Sequence, residues 1–136
     1  MDLKTYLELS AATDLRDRSV VRNRLSDKNI DLMHACLGLQ TESGEITDQL
    51  KKHLFYGQPL DRVHIKEELG DILWYMAVIL RRLNLTFEEV AEANIAKLQF
   101  RYKGAFNEYS ALNRDLDKER EAVSYTHLTL PTIYSV

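Results

Sequence analysis

The sequence predicts an all-α fold, an antiparallel helical bundle of about four main helices. Three observations carry this. Apolar residues recur at three- and four-residue intervals over long segments, and none of these segments alternates with a period of two. Only five glycines and two prolines interrupt 136 residues, so long helices are allowed. Helix-capping signatures stand where the periodic segments begin.

The first helix is expected over roughly Leu3 to Arg18, with Tyr6, Leu7, Leu9, Ala12 and Leu15 as its apolar positions. Ser26 or Asp27 can cap a second helix, because a short side-chain oxygen accepts from the orphan N–H groups of a first turn. This helix is expected to reach about Lys52, with Leu32, Cys36, Leu39, Ile46 and Leu50 on one stripe. The segment from Leu54 to Asp61, punctuated by Gly57 and Pro59, then breaks it. A third helix follows from about His64 to Leu83. Thr86 with Glu89 three residues on is a capping box for a fourth, which carries Phe87, Val90, Ala91, Leu98 and Tyr102. Short connections between long helices favour antiparallel neighbours.

The folded domain is expected over residues 1–112, followed by a charged helical extension over 113–123. Residues 124–136 read SYTHLTLPTIYSV, without a charge, and resemble translated adapter DNA. They are expected to form a non-native or disordered tail.

Hydrophobic residues make up 45% and charged residues 29%, a globular balance. The net charge of −3 gives no basic field for a nucleic-acid polymer, although a small anion needs only a local cationic patch. The uncharged run Ile72 to Leu80 is too short to span a bilayer, and the N-terminus lacks the apolar run of a signal peptide. These features point to a cytoplasmic protein with no membrane partner. The single cysteine, Cys36, excludes an intrachain disulfide and is expected as a packed thiol.

The chemistry lies in carboxylates among apolar residues. From Leu69 to Leu80, Asp71 is the only charge in twelve residues that otherwise read as a buried helix. Burying an unpaired carboxylate is costly, so Asp71 requires a compensating cation. Glu68 lies three residues earlier on the same face, roughly 5–6 Å away between Cβ atoms. The second helix repeats the pattern: Glu42 falls between Leu39 and Ile46, and Glu45 is one turn on. Two facing antiparallel helices would gather four carboxylates, a donor set for Mg²⁺ or Mn²⁺. An Arg or Lys from another helix is the competing way to neutralise Asp71. Neither pair has the histidine that a ferritin-like di-iron site requires.

Asn94, Lys97 and Arg101 share one face of the fourth helix and can meet phosphate oxygens, or form an exposed polar face. Lys51 and Lys52 face phosphate or complement the end of the second helix. His34, His53 and His64 have core or surface explanations. Trp74 and Tyr75 read as core, and Phe55 and Tyr56 as local packing or base-stacking rings. Gly44 and Gly70 are expected where helix backbones approach closely.

LGLQTESGEITDQLKKHLFYGQPLDR, KEELGDILWYMAVIL and NIAKLQFRY together resemble the MazG-like nucleotide pyrophosphohydrolases, members of the all-α nucleoside triphosphate pyrophosphatase superfamily. The likeness covers roughly residues 3–110. It implies a Mg²⁺-dependent hydrolase, with Mn²⁺ as a substitute, that converts a nucleoside triphosphate to monophosphate and pyrophosphate. By motif matching, Glu42, Glu45, Glu68 and Asp71 take the metal positions, and Glu42 or Glu45 is the proton acceptor. Asn94, Lys97 and Arg101 take nucleotide-contact positions, and a homodimer or homotetramer is implied. Two residues depart from the pattern: Thr41 stands where many members have an acid, and Lys103 where many have proline. The alternatives are a narrow-specificity deoxynucleotide or phosphoribosyl-nucleotide enzyme, and a non-catalytic metal-binding helical module.

Overall fold

The computed structural model describes residues 1–14 and 17–129, with backbone alone from 125 onward. Among the described residues there are seven α-helices and one 3₁₀ turn, and no strand. The all-α expectation holds. The chain forms two compact units, Met1–Tyr75 and Met76–Val136.

In the first unit, α1 spans Leu3–Ser10, α2 Ser19–Arg22 and α3 Asp27–Tyr56; α4, Arg62–Leu83, begins here and continues into the second. The single first helix expected to Arg18 is corrected. Asp2 caps α1 by accepting from Thr5 N at 2.8 Å, but the helix tightens into a 3₁₀ turn at Ala11–Thr13. There the Ser10 and Thr13 hydroxyls donate back to the Leu7 and Ser10 carbonyls, at 3.2 and 2.7 Å, competing with helix continuation. The expected apolar position Leu15 lies outside the described residues.

Ser26 caps α3 as expected, its hydroxyl accepting from Asn29 N at 3.3 Å. At 30 residues this helix is about 45 Å long. It passes the expected end at Lys52, because Leu54, Phe55 and Tyr56 contain no breaker. Gly57 stops it, at φ +67, a left-handed conformation that suits glycine. Asp61 starts α4 by accepting from Val63 and His64 N, both at 3.0 Å, so the helix begins two residues before the expected His64.

Buried and half-buried positions on α3 follow a three-four spacing: Leu32, Ala35, Leu39, Glu42, Ile46 and Gln49. Cys36 and Leu50, expected on this stripe, are exposed, and so the packed-thiol expectation is corrected. On α4 the matching stripe is Ile65, Glu68, Ile72 and Tyr75. Trp74, expected in the core, is 54% exposed, and Leu69 and Leu73 are exposed beside it.

In the second unit α4 ends at Asn84, also left-handed at φ +54, and α5 spans Phe87–Tyr102. Its capping box is complete: Thr86 Oγ1 accepts from Glu89 N at 3.1 Å, and Glu89 Oε2 accepts from Thr86 N at 2.6 Å. Asn107 caps the short α6, Glu108–Leu112, and α7 spans Leu116–Thr129 and packs along α5. Backbone of the expected tail thus lies in α7 as far as Thr129, and residues 130–136 lie outside the described residues.

Candidate metal centre

The stripes on α3 and α4 bring three carboxylates together. Later residues of α3 meet earlier residues of α4, so the two helices run antiparallel through this unit. At Gly38 the Tyr75 ring lies against the α3 backbone: a Cβ there would fall inside the hydroxyl end of that ring. Gly44 and Gly70, expected to serve this purpose, have open space where a Cβ would stand, so that expectation is corrected. One turn beyond Gly38 on α3 is Glu42, and one turn before Tyr75 on α4 is Asp71. The Gly38–Tyr75 contact therefore lies one helical turn from the carboxylates on both helices.

One ligand oxygen each from Glu42, Glu68 and Asp71 lies within 4.8 Å of the others. Oxygens on opposite sides of one small hard cation are about 4.2 Å apart, so these three need move only slightly to share one. Glu68 is buried at 8% exposure, Glu42 is half-buried and Asp71 is exposed. Glu45 is exposed, outside this group of three, and makes no hydrogen bond or ion pair among the described residues. The antiparallel register sets it level with Glu68.

The reason given for Asp71 needs correction although the residue is in the cluster. It is not a charge inside a buried helix. The apolar run around it includes exposed Leu69, Leu73 and Trp74, and the buried carboxylate is Glu68.

Electrostatics identify the strained group. The Glu42 carboxyl beside it, and then burial, push the Glu68 carboxyl above its usual range; His64 opposes them. His64 Nδ1 lies 3.2 Å from Glu68 Oε1 and 3.9 Å from Glu67 Oε2. Sequence reading gave His64 no role, although its four-residue spacing to Glu68 was a usable signal. Thr41, which stands in place of an acid, has Oγ1 2.9 Å from the Gly38 carbonyl and 3.1 Å from Glu42 Oε1. Its one proton serves one or the other.

The remaining expected contacts divide. Lys51 and Lys52 both reach Asp48, at 2.6 Å, on the helix surface. Asn94 and Lys97 line an apolar cavity of about 540 Å³ in the second unit, with Met76, Leu85, Phe87 and Val90. Arg101 is not in that cavity wall. It forks onto Glu119 of α7, Nε to Oε1 at 2.9 Å and Nη2 to Oε2 at 2.6 Å.

Residues 32–106 match the profile of the MazG nucleotide pyrophosphohydrolase domain, more than half of the chain and all three clustered carboxylates. This chain belongs to the MazG family. The match takes in α3 from Leu32 onward and all of α4 and α5. A relative, the Gene 37 protein of Mycobacterium phage L5, is 34% identical over 74 residues. That alignment covers 52% of this chain and 65% of the relative, so the chain spans less than two-thirds of the protein it resembles. No solved structure matches. MazG membership makes this a pyrophosphohydrolase-type domain, and its acidic cluster has the donor chemistry for a divalent cation.

Proposed function

We propose that the chain is a Mg²⁺-dependent nucleoside triphosphate pyrophosphohydrolase, converting a (d)NTP to (d)NMP and pyrophosphate in the upkeep of the nucleotide pool. The observation that carries this reading is the Glu42–Glu68–Asp71 cluster across two antiparallel helices, inside the MazG-matched segment. Mn²⁺ is the expected substitute.

Glu42, Glu68 and Asp71 would hold the cation, with Glu45 completing the set. A bound divalent cation supplies charge neutralisation and a more acidic water. Water adds to the α-phosphorus, the bond from that phosphorus to the α,β-bridging oxygen breaks, and pyrophosphate leaves with the bond electrons. The water's proton passes to Glu45 or Glu42. Glu45 is the freer carboxylate, being exposed and uncommitted. Thr41 steadies Glu42 when its hydroxyl donates there. Asn94 and Lys97 stand at the positions that family membership assigns to nucleotide contact. Phosphate roles for Lys51 and Lys52 require release from Asp48, and one for Arg101 would use donors beyond the pair it gives Glu119.

No described helix is long and apolar enough to cross a membrane, which fits the proposed cytoplasmic location. Exposed Leu3, Leu7, Leu37, Leu69, Leu73 and Trp74 support self-association as a homodimer or homotetramer. A pyrophosphate-release screen across canonical and damaged nucleotides with Mg²⁺ tests the activity. Release from one deoxynucleotide or phosphoribosyl nucleotide alone selects the narrow-specificity reading. The missing acid at Thr41 favours a non-catalytic metal-binding module, and metal binding without release from any substrate would select it.

A further inference from the structure

The second unit contains a polar cavity of about 260 Å³, whose wall includes Arg101, Lys103, Arg114, Asp115, Lys118 and Glu119. Its four cationic and two anionic side chains leave two positive charges in excess, within a chain of net charge −3. The pairing shows where the excess lies. Glu119, only 3% exposed, accepts from both guanidiniums: Arg101 as described, and Arg114 through Nε at 3.3 Å and Nη2 at 2.8 Å. Lys118 pairs with Asp115 at 3.0 Å. One guanidinium charge and the Lys103 ammonium stay unbalanced, and Lys103 makes no ion pair among the described residues.

A carboxylate that only fastened α7 to α5 would need one arginine. The second adds charge rather than neutrality. A guanidinium has five N–H donors, and each arginine here gives Glu119 its Nε and one Nη; Arg101 also meets Tyr102, its guanidinium carbon 5.6 Å from that ring's centroid, while Arg114 keeps its Nη1 donors for another acceptor. Planar forks held rigidly by a buried carboxylate are pre-organised for an oxyanion, and a doubly charged one matches the excess.

We propose that this cavity is a binding site for a phosphoryl oxyanion, using Arg101, Arg114 and Lys103 and none of the clustered carboxylates. Orthophosphate and pyrophosphate share the required chemistry and both fit the volume. The site goes beyond the proposed hydrolysis and holds whether or not the chain turns over a nucleotide.

The test uses the full chain without divalent cation or substrate. Phosphate, pyrophosphate and a nucleoside monophosphate are titrated at constant ionic strength set with chloride, following the arginine Nε–H resonances by NMR. Saturable shifts of Arg101 and Arg114 are expected with phosphate or pyrophosphate, the tighter of the two naming the source. Lys103→Asn keeps a residue that tolerates the left-handed backbone at φ +46 and leaves the Glu119 pairs intact. It should weaken binding about tenfold, the loss of one charge-assisted contact. Arg114→Gln should do the same with the Arg101–Glu119 fork retained. Shifts no larger than with chloride, a response to the monophosphate alone, or wild-type affinity retained in both variants would overturn the proposal.

Discussion

Two glutamates are the buried charged residues of the described structure, and they are buried in opposite ways. Glu119 lies between two guanidiniums, first Arg101 and then Arg114, which hold its carboxyl down to about 2. Glu68 lies among carboxyls, with a single imidazole beside it, and is pushed up. The first is a completed electrostatic unit. The second is a set of like charges gathered by helix packing, which a cation would complete. Burial of a carboxylate alone therefore does not mark a functional site; the sign of its neighbours does.

Turnover gives the largest expected contrast. Asp71→Asn keeps the volume and one ligand oxygen but removes the charge, and should reduce Mg²⁺-dependent pyrophosphate release at least about a hundredfold. Helical circular dichroism should be unchanged. Near-normal turnover in this variant would end the metal reading of the cluster. Glu45→Gln should behave similarly if Glu45 is the proton acceptor.

Stability should show the reverse ranking. Glu119→Gln leaves two guanidiniums without their anion and should lower the melting temperature on the order of 10 °C, with no rescue by Mg²⁺. Glu68→Gln relieves repulsion, so its metal-free melting temperature should equal or exceed wild type while its response to Mg²⁺ disappears. A destabilised Glu68→Gln would mean that the His64 pair, not a cation, is what this carboxylate serves.

The pH dependence has opposite signs at the two places. Glu119 is held below its ordinary 4.5, so its contribution is present at neutral pH and is lost as pH falls from about 4.5 through about 2. Glu68 is raised, so its contribution is present below 4.5 and is lost as pH rises through its folded value. Metal-free melts of wild type, Glu119→Gln and Glu68→Gln across this range separate the two, each variant flattening one limb.

The smallest effect is steric. Gly38→Ala forces the Tyr75 ring aside and should cost about 1–3 kcal/mol, as overpacking does. The loss should be accompanied by a weaker melting response to Mg²⁺, because the same contact lies one turn from the carboxylates. Destabilisation with an unchanged Mg²⁺ response would uncouple the two.

What the sequence made legible was local. Ser26 and Thr86 cap the helices they were expected to cap, because capping uses residues within three positions. Glu42 was readable as a charge within an apolar stripe, and Glu68 from its three-residue spacing to Asp71. The end of α3 was misplaced because Leu54 to Tyr56 have no turn chemistry, and only Gly57 forces the stop. Leu69, Leu73 and Trp74 could not be told from core residues, since an apolar run looks alike whether covered or exposed. Arg101 was unreadable for a different reason: Glu119 lies eighteen residues on, and no periodicity links them. Gly38 was missed because its partner ring is on another helix.

That glycine has a consequence for ion choice. The gap between α3 and α4 is gauged by an uncharged aromatic ring resting against bare backbone. Discrimination between Mg²⁺ and the larger Ca²⁺ depends on how far a ligand cage can open. Were the cluster to hold such an ion, as proposed, Tyr75 against Gly38 would limit how far its cage opens. Substitutions at those two positions would then retune which ion is preferred with every carboxylate kept.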